Sequence, residues 1–263
     1  MEKFDYKKQD IVDALLKVGL HQKQNVFSHS NLGFFGKLKD GSDKDSYCAA
    51  FKEAFFEVIG TEGTLVVPTF SYSYCWNKIY NKEDTPSTCG IFSEFIRNGS
   101  NSFRSDDPNF SYTSIGKNAE YFTKDCPPNP FGKESFWERF LLKNGIICNL
   151  NFDAAATLTH FVEREVKVPY RFDKSFDGKS LVNGKLQKRI FYHFVRDDNN
   201  PEVYPDFIKF DKKAKQLGLA RVENLGKGQV VCISVKDSYE LIKKEIRKNP
   251  NFLIKGSFKV KNT

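Results

Sequence analysis

A chain of 263 residues, 40% hydrophobic and 28% charged, can bury one large core and has the ordinary composition of a soluble globular protein. Its formal charge of +8 points to anionic partners. The basic segments, however, match no nucleic-acid motif and lack interleaved stacking aromatics, so no nucleic acid is expected. No apolar run is long enough to span a bilayer and the N-terminal stretch does not read as a secretory leader, so the expected location is cytoplasmic, away from membranes.

In chain order, Ile11, Leu15 and Val18 repeat at helical spacing behind Asp10, which can cap the helix, and Gly19 suits its end. A β-rich stretch at 25–28 runs into a turn at 28–32. In an open α/β sheet, backbone amides at such a place meet ligands. A helix starting at Asp45 or Ser46 carries a wide apolar stripe from Ala49 to Val58 and stops at Gly60. The continuous apolar run 64–68 reads as a strand covered on both faces.

The polar and aromatic stretch 71–88 is long for a loop without structure of its own, so it is expected to wall an acceptor pocket. Tyr72, Tyr74 and Trp76 could offer apolar faces to a sugar ring there, although aromatics pack onto the core by default. A short helix at 90–97 sets Glu94 and Arg97 one turn apart, as an ion pair would be. Pro108 keeps 104–108 out of a helix. A helix at 135–143 turns Phe136, Trp137, Phe140 and Leu141 inward, and a strand at 146–150 follows.

Past residue 171, Asn183-Gly184 marks a hairpin over 179–195. A basic amphipathic helix is expected at 206–217, a strand at 229–235 and a last helix at 239–248. The glycine-rich segment 223–228 is followed by a strand, which leaves no helix N-terminus for phosphates, so it reads as a turn. The six cysteines show no C-x-x-C spacing, which argues against a zinc ribbon or a thioredoxin-type site. Most are expected to be reduced core residues. Without repeats or a low-complexity linker, the chain reads as a single domain, 1–263, with a C-terminal extension of about 180–263.

The stretch with the most chemistry is 155–163, A-A-T-L-T-H-F-V-E, where a helix follows the 146–150 strand. His160 and Glu163 are i and i+3, so both leave the helix on one face. A carboxylate beside an imidazole fixes its tautomer and stabilises the imidazolium, which suits a general base. On its own, H-x-x-E more often marks an interior histidine beside a solvated glutamate.

The segment T-L-T-H-F-V-E (157–163), followed by V-P-Y-R (168–171), resembles the signature of the aminoglycoside 3-N-acetyltransferase family. Five further segments resemble it in order: S-H-S-N-L (28–32) with Gly36; G-T-L-V-V-P-T (63–69); Gly90 with Glu94 and Arg97; R-S-D-D-P (104–108) with Ser111 and Gly116; and Phe131-Gly132. The resemblance implies an α/β fold, three-layer α/β/α around a central mixed sheet. It implies an acyltransferase using acetyl-CoA or another acyl-CoA as co-substrate, with no metal. It also implies a coenzyme A contact at the 28–32 turn, with the backbone of Ser30, Asn31 and Leu32 holding the pantetheine amides and His29 either structural or functional. Arg104, beside Ser105, would pair with a coenzyme A phosphate or only order Asp106.

The expected reaction is direct acyl transfer to the amine of an amino sugar, with His160 as base, Glu163 behind it, and Thr157 or Thr159 among the candidate oxyanion donors. In the family's R-S-x-H-P pattern Asp107 stands where a histidine is expected. That favours a nucleotide-linked amino sugar of surface-glycan biosynthesis over an aminoglycoside antibiotic, which stays the alternative. A non-catalytic coenzyme A or glycan binder and a metal-dependent hydrolase are the readings from other classes. The reading leaves a homodimer open.

Overall fold

The computed structural model describes residues 4–258. In chain order the elements are α1 (Lys8–Lys17), β1 (Asn25–Phe27), α2 (Lys44–Ile59), β2 (Thr64–Pro68), β3 (Tyr80–Asn81), α3 (Ile91–Arg97), β4 (Phe103–Arg104), β5 (Tyr112–Gly116), α4 (Ala119–Thr123), α5 (Phe136–Leu142), β6 (Ile146–Leu150), α6 (Leu158–Glu165), β7 (Arg171–Val182), β8 (Lys185–Arg196), α7 (Ile208–Gln216), β9 (Arg221–Leu225), β10 (Gly228–Ser234) and α8 (Val235–Lys248).

The apolar runs read as strands form the middle of a seven-stranded mixed sheet of order β4-β5-β2-β1-β6-β10-β9. β1 runs parallel to β2 and β6, and antiparallel strands extend the sheet on both sides. The middle strands are apolar throughout because each face buries alternate residues. Val26, Leu65, Val67 and Cys148 join one core with α1, α2 and α3. Phe27, Val66 and Ile147 join another with α4, α5, α6 and α8. This is the three-layer α/β/α architecture expected.

Several expectations need correction. Asp10 does not cap α1; it sits in the first turn and accepts the Lys7 amide at 2.9 Å. α2 is capped by Asp43, whose carboxylate takes the Ser46 amide at 2.8 Å, rather than starting at Asp45 or Ser46. α6 begins at Leu158, so Ala155 and Ala156 belong to the preceding turn. The hairpin is longer than 179–195 and covers Arg171–Arg196. Its two-residue turn is the expected Asn183-Gly184, both at positive φ (50° and 73°). With β3 it forms a second, three-stranded sheet that sequence periodicity did not announce. The segment read as a C-terminal extension carries β9 and β10, and β10 pairs with β6 in the main sheet; its last residues, 259–263, lie outside the described residues. The glycine-rich 223–228 segment contains the β9–β10 turn.

All six cysteines are free, and three of them, Cys48, Cys148 and Cys232, are buried. Among the described residues, no helix is long and apolar enough to cross a membrane.

Candidate active site

The carboxyl ends of the parallel neighbours β1 and β6 deliver two turns side by side, 28–32 and 151–157, at the place where an open α/β sheet collects ligands. Buried Asn149 fastens them together. Its amide nitrogen donates to the carbonyls of Asp153 (2.6 Å) and Ala155 (3.1 Å), and its oxygen accepts the His29 amide at 3.2 Å. Asp211 of α7 accepts the Ala155 amide at 2.9 Å from the other side. Its own carboxyl is pushed up to about 6, first by burial and then by Asp153.

The second turn launches α6, which projects Thr157, His160 and Glu163. His160 Nδ1 lies 2.7 Å from Glu163 Oε2, so Nδ1 carries the proton and donates. Nε2, with no protein partner among the described residues, is left to accept one. Glu163 is completely buried and accepts the Tyr170 hydroxyl at 2.8 Å on its other oxygen. Arg171 Nε lies 2.9 Å from Glu163 Oε2, although its N–H is not aimed for a hydrogen bond. Burial works against the Glu163 charge, but Arg171, His160 and Tyr170 outweigh it and hold the carboxyl below its usual range. Burial, followed by the Arg171 charge, lowers the His160 pKa against the pull of Glu163. Both effects favour the neutral ring, the form in which an imidazole can accept a proton.

His160 keeps 18% of its side-chain surface open. It lines a cavity of about 880 Å³ together with Thr157, Tyr72, Phe110, Phe131 and the β7–β8 hairpin. The Thr157 hydroxyl is buried there beside the Tyr112 hydroxyl. Tyr72 stands in the cavity wall. Tyr74 does not: it is buried, with its hydroxyl 2.7 Å from Ser180 Oγ. Trp76 is half exposed, packs on Tyr72 and does not line the cavity.

The first turn is beside this cavity but none of its residues lines it. His29 packs edge-on against Phe27, and burial lowers its pKa to about 4. The Asn31 amide is taken by the Leu150 carbonyl at 2.9 Å, and the Leu32 side chain is in the core. The Ser30 and Leu32 amides make no hydrogen bond among the described residues, and the buried Ser30 hydroxyl has no partner.

Arg104 and Ser105 are structural. The buried Arg104 guanidinium donates to the carbonyls of Lys82, Thr85 and Thr69 and to Ser111 Oγ, which commits four of its five N–H groups inside the protein, and it makes no contact with Asp106. It ties the 71–88 loop to the end of β2. Arg104→Ala strands those carbonyls in the interior, and a loss of about 3 kcal/mol in urea-unfolding stability is expected. Ser105 is stitched to Tyr112 through its amide and hydroxyl. Asp107 does not reach the cavity either. One oxygen accepts the Asn109 and Phe110 amides (2.8 and 2.7 Å), and the other stands 3.5 Å from Nε2 of His193, which does line it.

The site residues missed at the sequence level are Tyr170, Arg171, His193 and Arg196. The first two stand in the V-P-Y-R segment already singled out, and His193 is one of only four histidines; nothing in the sequence marked Arg196. Among the described residues no group of three or more His, Cys, Asp or Glu could hold a metal ion.

A family model described as aminoglycoside 3-N-acetyltransferase matches residues 27–247. Among solved structures, AAC-IIIb in its binary complex with CoASH is 19% identical, with a TM-score of 0.79 over 92% of this chain and 96% of that one. AAC-VIa bound to sisomicin is 20% identical, with a TM-score of 0.78 over 92% and 98%. The YokD protein from Bacillus subtilis is 20% identical, with a TM-score of 0.75 over 94% and 96%. At these identities the likeness is one of fold. No curated protein matches the chain in sequence.

Proposed function

The chain belongs to the aminoglycoside 3-N-acetyltransferase family, and from that premise we propose that it moves an acyl group from acyl-CoA to the amine of an amino sugar, with His160 as general base. The observation that carries this reading is the 2.7 Å contact of His160 Nδ1 with a buried, charge-balanced Glu163, which leaves Nε2 unoccupied beside the cavity. The acceptor nitrogen attacks the thioester carbonyl as His160 takes its proton. The new C–N bond forms, the C–S bond breaks, and the proton passes to the departing thiolate. A thiolate leaves readily, so no covalent enzyme intermediate is needed.

Thr157 is the proposed donor to the oxyanion and Ser30 a contact for the pantetheine arm. Both are buried hydroxyls; Ser30 has no partner and Thr157 has only the Tyr112 hydroxyl beside it, so each can turn to a seated substrate. The relative AAC-IIIb is known with CoASH, which supports coenzyme A as the carrier.

For the acceptor, the aminoglycoside class is the reading that the family and AAC-VIa, which binds sisomicin, support best. An amino sugar of surface-glycan biosynthesis, nucleotide-linked, is the second reading. It is favoured by the cations Arg171, Lys174 and Arg196 in the cavity wall.

The pH profile tests the base. The His160 pKa is lowered, so the neutral ring persists below the ordinary imidazole range and is lost only as pH falls further. Thiol release from acetyl-CoA, measured as kcat/KM against pH, is expected to break on the acid side below about 6.5 whichever acceptor is used. A second break should follow the pKa of each acceptor amine. A profile whose every acid-side break moves with the acceptor, with none common to all acceptors, would remove His160 as the base.

A further inference from the structure

We propose that the cavity beside His160 holds an acidic group of the acceptor, a phosphate or a carboxylate, between Arg171 and Arg196. This deepens the acyl-transfer reading with its second acceptor, the nucleotide-linked amino sugar, and rests on both.

Arg171 and Arg196 are directly opposed partners across β7 and β8, so their side chains leave one face of the hairpin together, and both line the cavity. Like charges facing each other across a strand pair repel, and such a pair persists where an opposite charge sits between them. The protein supplies only part of that charge. Arg171 has Glu163 on one flank and donates from Nη1 to the Phe194 carbonyl at 3.2 Å. Arg196 reaches Asp198 at 3.1 Å and stacks over Tyr204. Arg171 Nη2 and Arg196 Nε remain buried with no hydrogen bond; the Arg171 side chain is only 4% exposed, whereas that of Arg196 is 31% exposed. Unpaired N–H groups at such depth are costly, and two planar guanidinium forks side by side fit an oxyanion.

The other charged groups facing this space are Lys174, Asp197 and Asp198. Lys174 adds to the positive wall. The Asp198 side chain is 80% exposed, so its bridge to Arg196 is weak and an incoming anion can displace it.

The location assigns the anion to the acceptor. Arg171 lies 2.9 Å from the carboxylate oxygen that is itself 2.7 Å from His160. The phosphates of coenzyme A are a whole pantetheine arm away from the thioester that must reach that histidine. After burial, the Arg171 charge and, more weakly, that of Arg196 lower the His160 proton affinity. A seated anion offsets both charges and strengthens the base when the acceptor is in place. A polycationic acceptor meets like charge at the same spot.

The test compares kcat/KM with acetyl-CoA for glucosamine, glucosamine 6-phosphate, UDP-glucosamine and sisomicin, in the native protein and in Arg196→Gln and Arg196→Lys. A phosphorylated acceptor should exceed glucosamine by tenfold or more. Arg196→Gln should cut that ratio at least tenfold, and Arg196→Lys less. A native protein that prefers glucosamine or sisomicin, or an Arg196→Gln variant that slows all acceptors equally, overturns the proposal. So does an Arg196→Gln variant that weakens coenzyme A binding tenfold and keeps the acceptor ratio, because the anion is then coenzyme A's own. Calorimetry with pyrophosphate needs no turnover. Binding to the native protein that is lost in Arg196→Gln supports the subsite even if no amine is acylated, a result that would sink only the transferase reading. No pyrophosphate binding to the native protein overturns the subsite.

Discussion

His160→Ala is expected to lower the single-turnover rate of acyl transfer by about a hundredfold or more while the Kd for coenzyme A stays nearly unchanged. The ring touches the cavity at one edge and Glu163 at the other, and none of the groups in the 28–32 turn leans on it. Its removal therefore takes away the proton acceptor and little else. Rapid quench following the acylated amine gives the rate free of product release, and equilibrium dialysis gives coenzyme A affinity. Turnover at the native rate would take His160 out of the chemistry. A parallel collapse of coenzyme A binding would mean that the ring holds substrate rather than a proton.

Glu163→Gln is expected to act on two quantities at once. The glutamine has nearly the same shape but no charge, so it can still meet His160 Nδ1 and the Tyr170 hydroxyl while leaving the Arg171 guanidinium buried without its counter-ion. Breaking a buried pair from one side costs about 3 kcal/mol, readable in chemical denaturation. The imidazolium that forms during attack also loses its stabilising neighbour, and kcat should fall by roughly a hundredfold. The second substitution Arg171→Met in the Glu163→Gln background removes the stranded charge and should restore stability without restoring the rate. Recovery of both together would show that Glu163 serves the fold alone.

The parts of this molecule that are legible in its sequence are those where one residue's neighbours are near in the chain. The 64–68 and 146–150 strands announce themselves as unbroken apolar runs because both sheet faces are covered. The His160–Glu163 contact follows from helical spacing, and the Asn183-Gly184 turn from its two positive φ angles. The failures are long-range. Arg104 invites a phosphate reading until the loop carbonyls around its guanidinium are seen. Asp107 serves backbone amides and His193, a residue of β8. The first half of the hairpin, R-F-D-K-S-F-D-G-K, is too polar to look like a strand because most of it is open to solvent. Arg196 gains its meaning only by lying across from Arg171.

The Asn149 amide bonds to the backbone of His29, 120 positions earlier in the chain, as well as to its own downstream turn. The same long closure pairs β1 with β6 in the middle of the sheet, so the corner is expected to form together with that pairing. Amide-exchange labelling during refolding would therefore show the amides at 29 and 31 gaining protection in step with β6, and a nascent polypeptide still short of residue 150 would lack the centre of its sheet.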